Sequence, residues 1–315
     1  QPPDRCNRLS EAAHVLVLGA TGFIGGHAAT ALQKAGHRVT GTSRSGEGGD
    51  LECDLLEPLT LETALSGMRP DAVVMAAGMS SVRLAWDDPP AAFASNSRGV
   101  FNLLEALGRS APDAHLTMLS SASVYGPPES LPLTEESAAE PSSPYGASKL
   151  AAEMLCRQHA RRHGTGVAVL RLFNSIGPGQ GTGQAPSEFA RQIAIAEKRG
   201  ERGLMITVGN PDSERDFTDV RDVADGIAGA VSGRLEGTFN LCSGRAATIG
   251  SIVHGLNLAT RVEVGMLVDP ERAHPADVTS LYGSCQKLGT AIVFAPETVL
   301  EQSLEDLLED WRTRA

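Results

Sequence analysis

The sequence predicts a doubly wound α/β protein: a parallel sheet covered by helices on both faces, with a smaller mixed lobe toward the C-terminal end. Three observations carry this. Short apolar runs rich in β-branched residues recur as HVLVLG (14–19), HRVTGT (37–42), DAVVMAA (71–77), AHLTMLS (114–120) and GVAVLRL (166–172). Helical stretches near 23–35, 91–108 and 146–163 separate several of them, and continuous apolar strands alternating with helices argue for a parallel sheet buried on both sides. After Leu172 the texture changes to NSIGPGQGTGQAP, whose glycines and prolines can continue neither element.

Taken in order, residues 1–13 are polar, contain Pro-Pro and lack a period, so they are read as a disordered leader. The sheet domain takes 14–173 and, after an excursion, about 218–243, where a helix (about 220–232) precedes the strand GTFNLCSG (237–244). The lobe takes 174–217 and 244–315. It holds a helix (about 187–199), a strand LMITVG (204–209) and a mostly helical end with the amphipathic VLEQSLEDLLEDW (299–311).

Composition narrows the function. The chain has 315 residues, room for one large domain or two smaller ones. With 27 Lys+Arg against 38 Asp+Glu the formal charge is −11, which leaves no electrostatic footprint for nucleic acid. Aromatics make up only 4%, so the core rests on Ala, Val, Leu and Ile. The stretch Ala12–Gln33 is free of charge and long enough to raise the question of a membrane span. Four glycines, two His and two Thr within it argue against one, and no basic segment with a cleavage site marks a secretory signal. A cytoplasmic protein is expected. Cys6, Cys53, Cys156, Cys242 and Cys285 lie far apart without C-x-x-C spacing, which suits reduced thiols and no metal site.

Gly19-Ala-Thr-Gly22-Phe-Ile-Gly25 ends the first strand and opens the first helix, the setting in which a glycine-rich turn brings backbone close to a dinucleotide pyrophosphate at a helix N-terminus. This is the mark of a Rossmann domain; the bland alternative is a structural turn. An acidic residue at the end of the second strand would bind the ribose 2′-hydroxyl, but the strand ends Thr42-Ser43-Arg44. A hydroxyl beside a guanidinium suits the 2′-phosphate of NADP, so NADP(H) is preferred with NAD(H) open; otherwise Arg44 is a solvated loop charge. Asp54 and Leu55 are placed to border the adenine, or else form a simple strand-end turn.

Tyr145-Gly-Ala-Ser-Lys149 opens a helix after Pro144, and the i,i+4 spacing puts phenol and ammonium on one face. A neighbouring cation stabilises the phenolate, which brings a phenol nearer to useful proton transfer. Ser120-Ser-Ala-Ser-Val-Tyr-Gly126 leaves the fourth strand at the carboxyl edge, where such sheets bind ligands, with Ser121 and Ser123 on one side.

With these motifs the sequence resembles the extended branch of the short-chain dehydrogenase/reductases, which acts on nucleotide sugars. The resemblance runs over about 14–313 through GATGFIGG, CDL, PDAVVMAAGMSSV, WDDP, NSRG with NLLEA, SSASVYG and PYGASK. Further along, RLFNSIGPGQ, FARQIA, VGNPDSERDFTDVRDVADG and FNLCSG look most like the GDP-4-keto-6-deoxy-mannose reductases. The resemblance implies Tyr145 as general acid/base, Lys149 as its electrostatic partner and orienter of the nicotinamide ribose, and Ser121 as the hydroxyl polarising the substrate carbonyl. It implies cofactor contacts at Gly19, Thr21, Gly22, Phe23, Ile24, Gly25, Ser43, Arg44, Asp54, Leu55, Ala76, Ala77, Gly78 and Asn96, besides Tyr145 and Lys149. Asn96 has an equal claim to be a helix cap. Substrate contacts would come from Ser80, Ser121, Ser123, Asn174, Arg191, Arg215, His274 and Asp277, with a surface ion pair to Asp216 or Asp219 as the other reading of Arg215.

Three departures stand out. Met75 replaces a common His, His274-Pro-Ala-Asp277 replaces Arg-Pro-x-Asp, and Ala122-Ser123 replaces the Asp-Glu pair of the 4,6-dehydratases, which argues against dehydration. The expected activity is NADPH-dependent reduction of the 4-keto group of a nucleoside-diphosphate 4-keto-6-deoxyhexose. The alternatives are an NAD-dependent nucleotide-sugar 4-epimerase and a non-catalytic cofactor-sensing protein. The expected partners are a nucleoside-diphosphate sugar and a second copy in a homodimer, with no nucleic acid and no membrane.

Overall fold

The computed structural model describes residues 13–46, 51–272 and 278–315. The chain enters through Ala13, which is buried and whose carbonyl accepts the Arg38 N–H at 3.0 Å, so the sheet takes in one residue of the expected leader. The remainder of that leader lies outside the described residues.

In chain order the first half comprises β1 (His14–Leu18), α1 (Phe23–Lys34), β2 (Arg38–Ser43), β3 (Leu51–Glu52), α2 (Pro58–Met68) and β4 (Ala72–Met75). Then come α3 (Val82–Asp87), α4 (Pro89–Phe93), a π-helical turn (Ala94–Arg98), α5 (Gly99–Ser110), β5 (His115–Ser121), α6 (Pro144–His163) and β6 (Val167–Leu172). The helix expected over 91–108 is thus three pieces, and α2 and α3 are additions to the expected order. α3 and α4 are set by caps, Ser81 accepting the Leu84 N–H at 3.2 Å and Asp88 the Ala91 N–H at 3.0 Å. α6 starts where Ser143 accepts the Gly146 N–H at 3.1 Å with Pro144 in its first turn, and stops at Gly164 in the left-handed region, φ 72°.

The second half comprises β7 (Asn174–Ile176), α7 (Ala185–Lys198), β8 (Gly203–Val208), β9 (Glu214–Asp219), α8 (Val220–Ser232), β10 (Gly237–Leu241) and β11 (Ala246–Thr248). It ends with α9 (Ile249–Leu258), β12 (Glu263–Val268), β13 (Ser280–Leu281), α10 (Gln286–Ala291) and α11 (Leu300–Arg314). The end of the chain is less purely helical than its composition implied, because β12 pairs with β8 and β13 with β9.

The large sheet is parallel, in the order β10-β6-β5-β4-β1-β2-β3. Alternate residues of its strands serve opposite faces: Val15 and Val17 pack with α1 and α8 through Leu32, Val223 and Ile227, whereas Leu16 and Leu18 pack with α2 and α5 through Leu61, Leu65 and Leu103. A third core gathers Ile176, Phe189, Phe217, Ile252, Leu307 and Trp311 among the smaller sheet and α7, α9 and α11. α10 falls within the stretch assigned to the lobe, yet its Leu288 is buried with Val223 and Leu241 under the large sheet. Sequence order reverses between β1 and β4, and the two loops that meet there carry the glycine turn and Ala76-Ala77-Gly78.

Candidate active site

The glycine loop is shaped by contacts that leave no room for side chains. Gly19 has φ 83° and lies against Ala77, while a Cβ on Gly25 would fall 2.1 Å from the Gly19 carbonyl oxygen. α1 therefore begins against the end of β1. Its N-cap is Gly22, with no side-chain cap and no acid in the first turn, so the first N–H groups remain open to an anion. Thr21 is exposed, and Phe23 and Ile24 are half-buried beside it.

At the end of β2, Ser43 is buried with a hydroxyl that has no partner, and Arg44 is exposed. Asp54 accepts the Leu56 N–H at 2.8 Å and so shapes the turn after β3, while the Leu55 carbonyl accepts the Asn102 amide at 2.8 Å. Met75 is buried, with Ala76 and Ala77 half-buried after it. Gly78 has φ 130°, and a Cβ there would sit 2.6 Å from the Asn96 Oδ1.

Asn96 is not a helix cap. It lies inside the π-helical turn, fully buried, and donates to the Ser148 hydroxyl at 2.9 Å; its Oδ1 has no partner. Ser148 in turn donates to the Tyr145 carbonyl at 2.7 Å, and Ser97 donates to the Ser148 carbonyl at 2.9 Å. The extra residue in the π turn thus keys the α4–α5 region onto the first turn of α6.

Ser121, Tyr145 and Lys149 come together at the end of β5. The Ser121 hydroxyl accepts the Ser123 N–H at 3.1 Å and hydrogen-bonds the Tyr145 hydroxyl. Lys149 is buried and donates from Nζ to the Leu119 carbonyl at 3.1 Å. Burial pushes its ammonium down to about 8, opposed by the charge of Glu153. The expected depression of the phenol is not found: burial pushes Tyr145 above the ordinary 10, and only the bond to Ser121 works against it. The ammonium is aimed at a backbone oxygen, so desolvation governs the phenol and keeps it protonated.

The candidates on the lobe are dispersed. Asn174 donates to the Asp216 carbonyl at 3.2 Å. Arg215 donates to the Glu214 carbonyl at 2.8 Å and the Thr279 carbonyl at 3.4 Å. The two carboxylates considered for it have other partners. Asp216 takes the Ser243 N–H, the Ser243 hydroxyl and the Gly244 N–H at 2.7–2.9 Å, and Asp219 takes Arg221 at 2.8 Å. Arg191 pairs with Glu188 on its own helix at 2.7 Å. Ser80 is exposed and Ser123 half-buried. His274 and Asp277 lie outside the described residues.

Two residues beneath the site escaped the sequence reading, Glu153 and Arg171, which form a buried ion pair at 2.8 Å. Glu153 stands four residues past Lys149 and is open to the same spacing argument, whereas Arg171 lies inside the run GVAVLRL with no spacing that singles it out. Among the described residues no group of three or more His, Cys, Asp or Glu could hold a metal, and no helix is long and apolar enough to cross a membrane. Cys53, Cys156, Cys242 and Cys285 are free.

Comparison with known proteins agrees with this geometry. The family model described as NAD dependent epimerase/dehydratase matches residues 15–242. A GDP-6-deoxy-D-mannose reductase of Pseudomonas aeruginosa is 35% identical, covering 95% of this chain and 97% of that protein. UDP-glucose 4-epimerase 2 of rice (Oryza sativa subsp. japonica) is 29% identical over 84% of this chain and 74% of its own. Among solved structures, RMD from Pseudomonas aeruginosa complexed with NADPH superposes with a TM-score of 0.86 at 34% identity, covering 96% of this chain and all of that one. The UDP-glucose 4-epimerase of Thermus thermophilus in complex with NAD gives 0.85 at 27% identity, with coverage of 96% and 100%. The open helix N-terminus at the strand-order reversal, the serine–tyrosine–lysine cluster beside it and a family match over most of the sequence agree: the chain belongs to the NAD dependent epimerase/dehydratase family.

Proposed function

We propose that this protein is an NADPH-dependent reductase of the 4-keto group of a nucleoside-diphosphate 4-keto-6-deoxyhexose. The observation that carries this reading is Tyr145: a buried phenol, hydrogen-bonded to Ser121 at the carboxyl edge of the sheet, whose surroundings hold its proton well past neutral pH. A ketone taking up hydride needs such a donor as charge develops on its oxygen.

The residues present fit the cofactor. The N–H groups of α1 and the close-packed glycines receive the pyrophosphate, with Thr21, Phe23 and Ile24 beside it. The unpartnered Ser43 hydroxyl and the exposed Arg44 are suited to a ribose 2′-phosphate, with Asp54 and Leu55 near the adenine. Met75, Ala76, Ala77 and Gly78, with Asn96 behind them, line the nicotinamide end. When bound, the nicotinamide would supply the hydride; Ser121 polarises the carbonyl, Tyr145 gives the proton, and Lys149 orients the ribose. Ser80, Ser123, Asn174, Arg191 and Arg215 are the proposed substrate contacts.

The likeness to the Pseudomonas aeruginosa reductase supports this reading. The 4-epimerases support a second, exchange of C4 configuration with retained NAD, and the end of β2, without an acid, weighs against it. Assays with GDP- and dTDP-linked 4-keto-6-deoxy sugars decide between them. NADPH should be consumed in step with sugar reduced; interconversion of C4 epimers without added cofactor would replace the reductase by the epimerase. The proposed homodimer is supported by exposed apolar side chains on α3–α6, namely Leu84, Trp86, Phe93, Phe101 and Met154.

A further inference from the structure

Glu153 is fully buried and anionic in its bonding: every group that reaches its carboxylate is a donor. The Ser120 hydroxyl donates to Oε1 at 2.6 Å, Arg171 donates from Nε to Oε1 at 2.9 Å and from Nη2 to Oε2 at 2.8 Å, and Arg157 donates to Oε2 at 2.6 Å. These donors are arranged as a layer. Ser120 and Arg171 are register partners across β5 and β6, and Arg171 is the register partner of Asn240 across β6 and β10. The Arg171 guanidinium lies 4.6 Å from the centre of the Tyr125 ring, whose hydroxyl donates to Asn240 at 2.5 Å.

Two consecutive residues of β5 therefore hold two consecutive turns of α6. The Leu119 carbonyl takes the Lys149 ammonium, and the Ser120 hydroxyl reaches Glu153 one turn later. The next residue, Ser121, is the one that bonds Tyr145. A buried ion pair adds little net stability over apolar packing of the same shape. Its placement, one helical turn from a second buried charge, gives it another use.

We propose that Glu153 is the positioning residue of Lys149, anchored by Arg171 and Ser120 so that the ammonium stays charged and seated on the Leu119 carbonyl. The proposal rests on the reading of Ser121, Tyr145 and Lys149 as the catalytic set. Glu153 is in turn held by Arg157 of the same helix and by Arg171 of β6, while β5 brings Ser120, Ser121 and the Leu119 carbonyl. Glu153 is the one whose charge opposes the desolvation of Lys149.

The chain has four lysines, Lys34, Lys149, Lys198 and Lys287, so their side-chain NMR signals can be titrated one by one in the whole protein. The Lys149 signal is assigned by its loss in Lys149→Met. From a midpoint near 8, Glu153→Gln should move Lys149 down by about one unit, as expected when an opposite charge one helical turn away is removed. Arg157→Ala, which removes a half-exposed cation from the same carboxylate, should move it up. The other three lysines should not move. A purely structural role for Glu153 would produce neither shift, and a Lys149 midpoint unchanged in the folded variants overturns the proposal. If Glu153→Gln does not fold, the upward shift in Arg157→Ala decides alone. Full turnover in Tyr145→Phe would instead remove the catalytic reading and leave the lysine titration intact, so the two failures are distinguishable.

Discussion

The proposed catalytic edge of the large sheet and the polar residues of the lobe are built on opposite terms. At the edge, Ser121, Tyr145 and Lys149 are held by partners from β5 and α6, the π turn is keyed to the same turn of α6 through Ser148, and Glu153 beneath them is wholly buried in its pair with Arg171 of β6. On the lobe, Arg191 bonds an acid three residues away on its own helix, and Arg215 bonds the backbone carbonyls of Glu214 and Thr279. The first arrangement fixes side chains before any ligand arrives. The second holds Arg191 by a partly exposed pair within one helix, which adds little stability. The proposed chemistry needs the former, since reacting groups must be held in place, and the proposed substrate contacts tolerate the latter.

The sharpest way to break this contrast is Tyr145→Phe. Turnover should fall by at least ~10²-fold while cofactor binding, measured by titration, stays nearly intact. A surviving activity would take the catalytic role from the rigid edge. A smaller effect is expected at the exposed end of β2, where Arg44→Ala should weaken NADPH by about tenfold, the lower end for a charge-assisted contact, and leave NADH almost unchanged. Equal losses for both cofactors would make Arg44 a bystander. The smallest effect sharpens the lobe side: Arg191→Ala should change thermal stability by no more than ~0.5 kcal/mol, because its pair with Glu188 is partly exposed and within one helix. Any larger change in that variant should appear in the KM of the nucleotide sugar.

Much of the fold is legible in the sequence because its signals are local. Val15 to Leu18 form one apolar run, Gly19, Gly22 and Gly25 mark a close approach, and Tyr145 and Lys149 share a helix face by spacing alone. α2 is hard to see because Leu61, Ala64 and Leu65 make only a short apolar stripe between two strands. The π turn is invisible because its cause is tertiary: Asn96 and Ser97 bond Ser148, some fifty residues on. The state of the phenol is hidden for the same reason. Spacing sets its distance from an ammonium but not the burial of both groups or the Leu119 carbonyl that takes the charge. Arg171 joins the site only through the register of β5, β6 and β10, which no single stretch of sequence states.

The lobe core closes on α11. Leu304, Leu307, Leu308 and Trp311 complete the cluster around Phe189 and Ile252, and the Trp311 indole donates to Ser187 at 2.9 Å. All strands of the large sheet, by contrast, have been made by Leu241. On a ribosome the roughly seventy residues from Leu241 to Trp311 take on the order of 4–14 s at ~5–20 residues per second. As α7 and then α9 leave the ribosome their apolar faces stay bare until α11 arrives, and through that interval the growing chain is open to aggregation or chaperone capture.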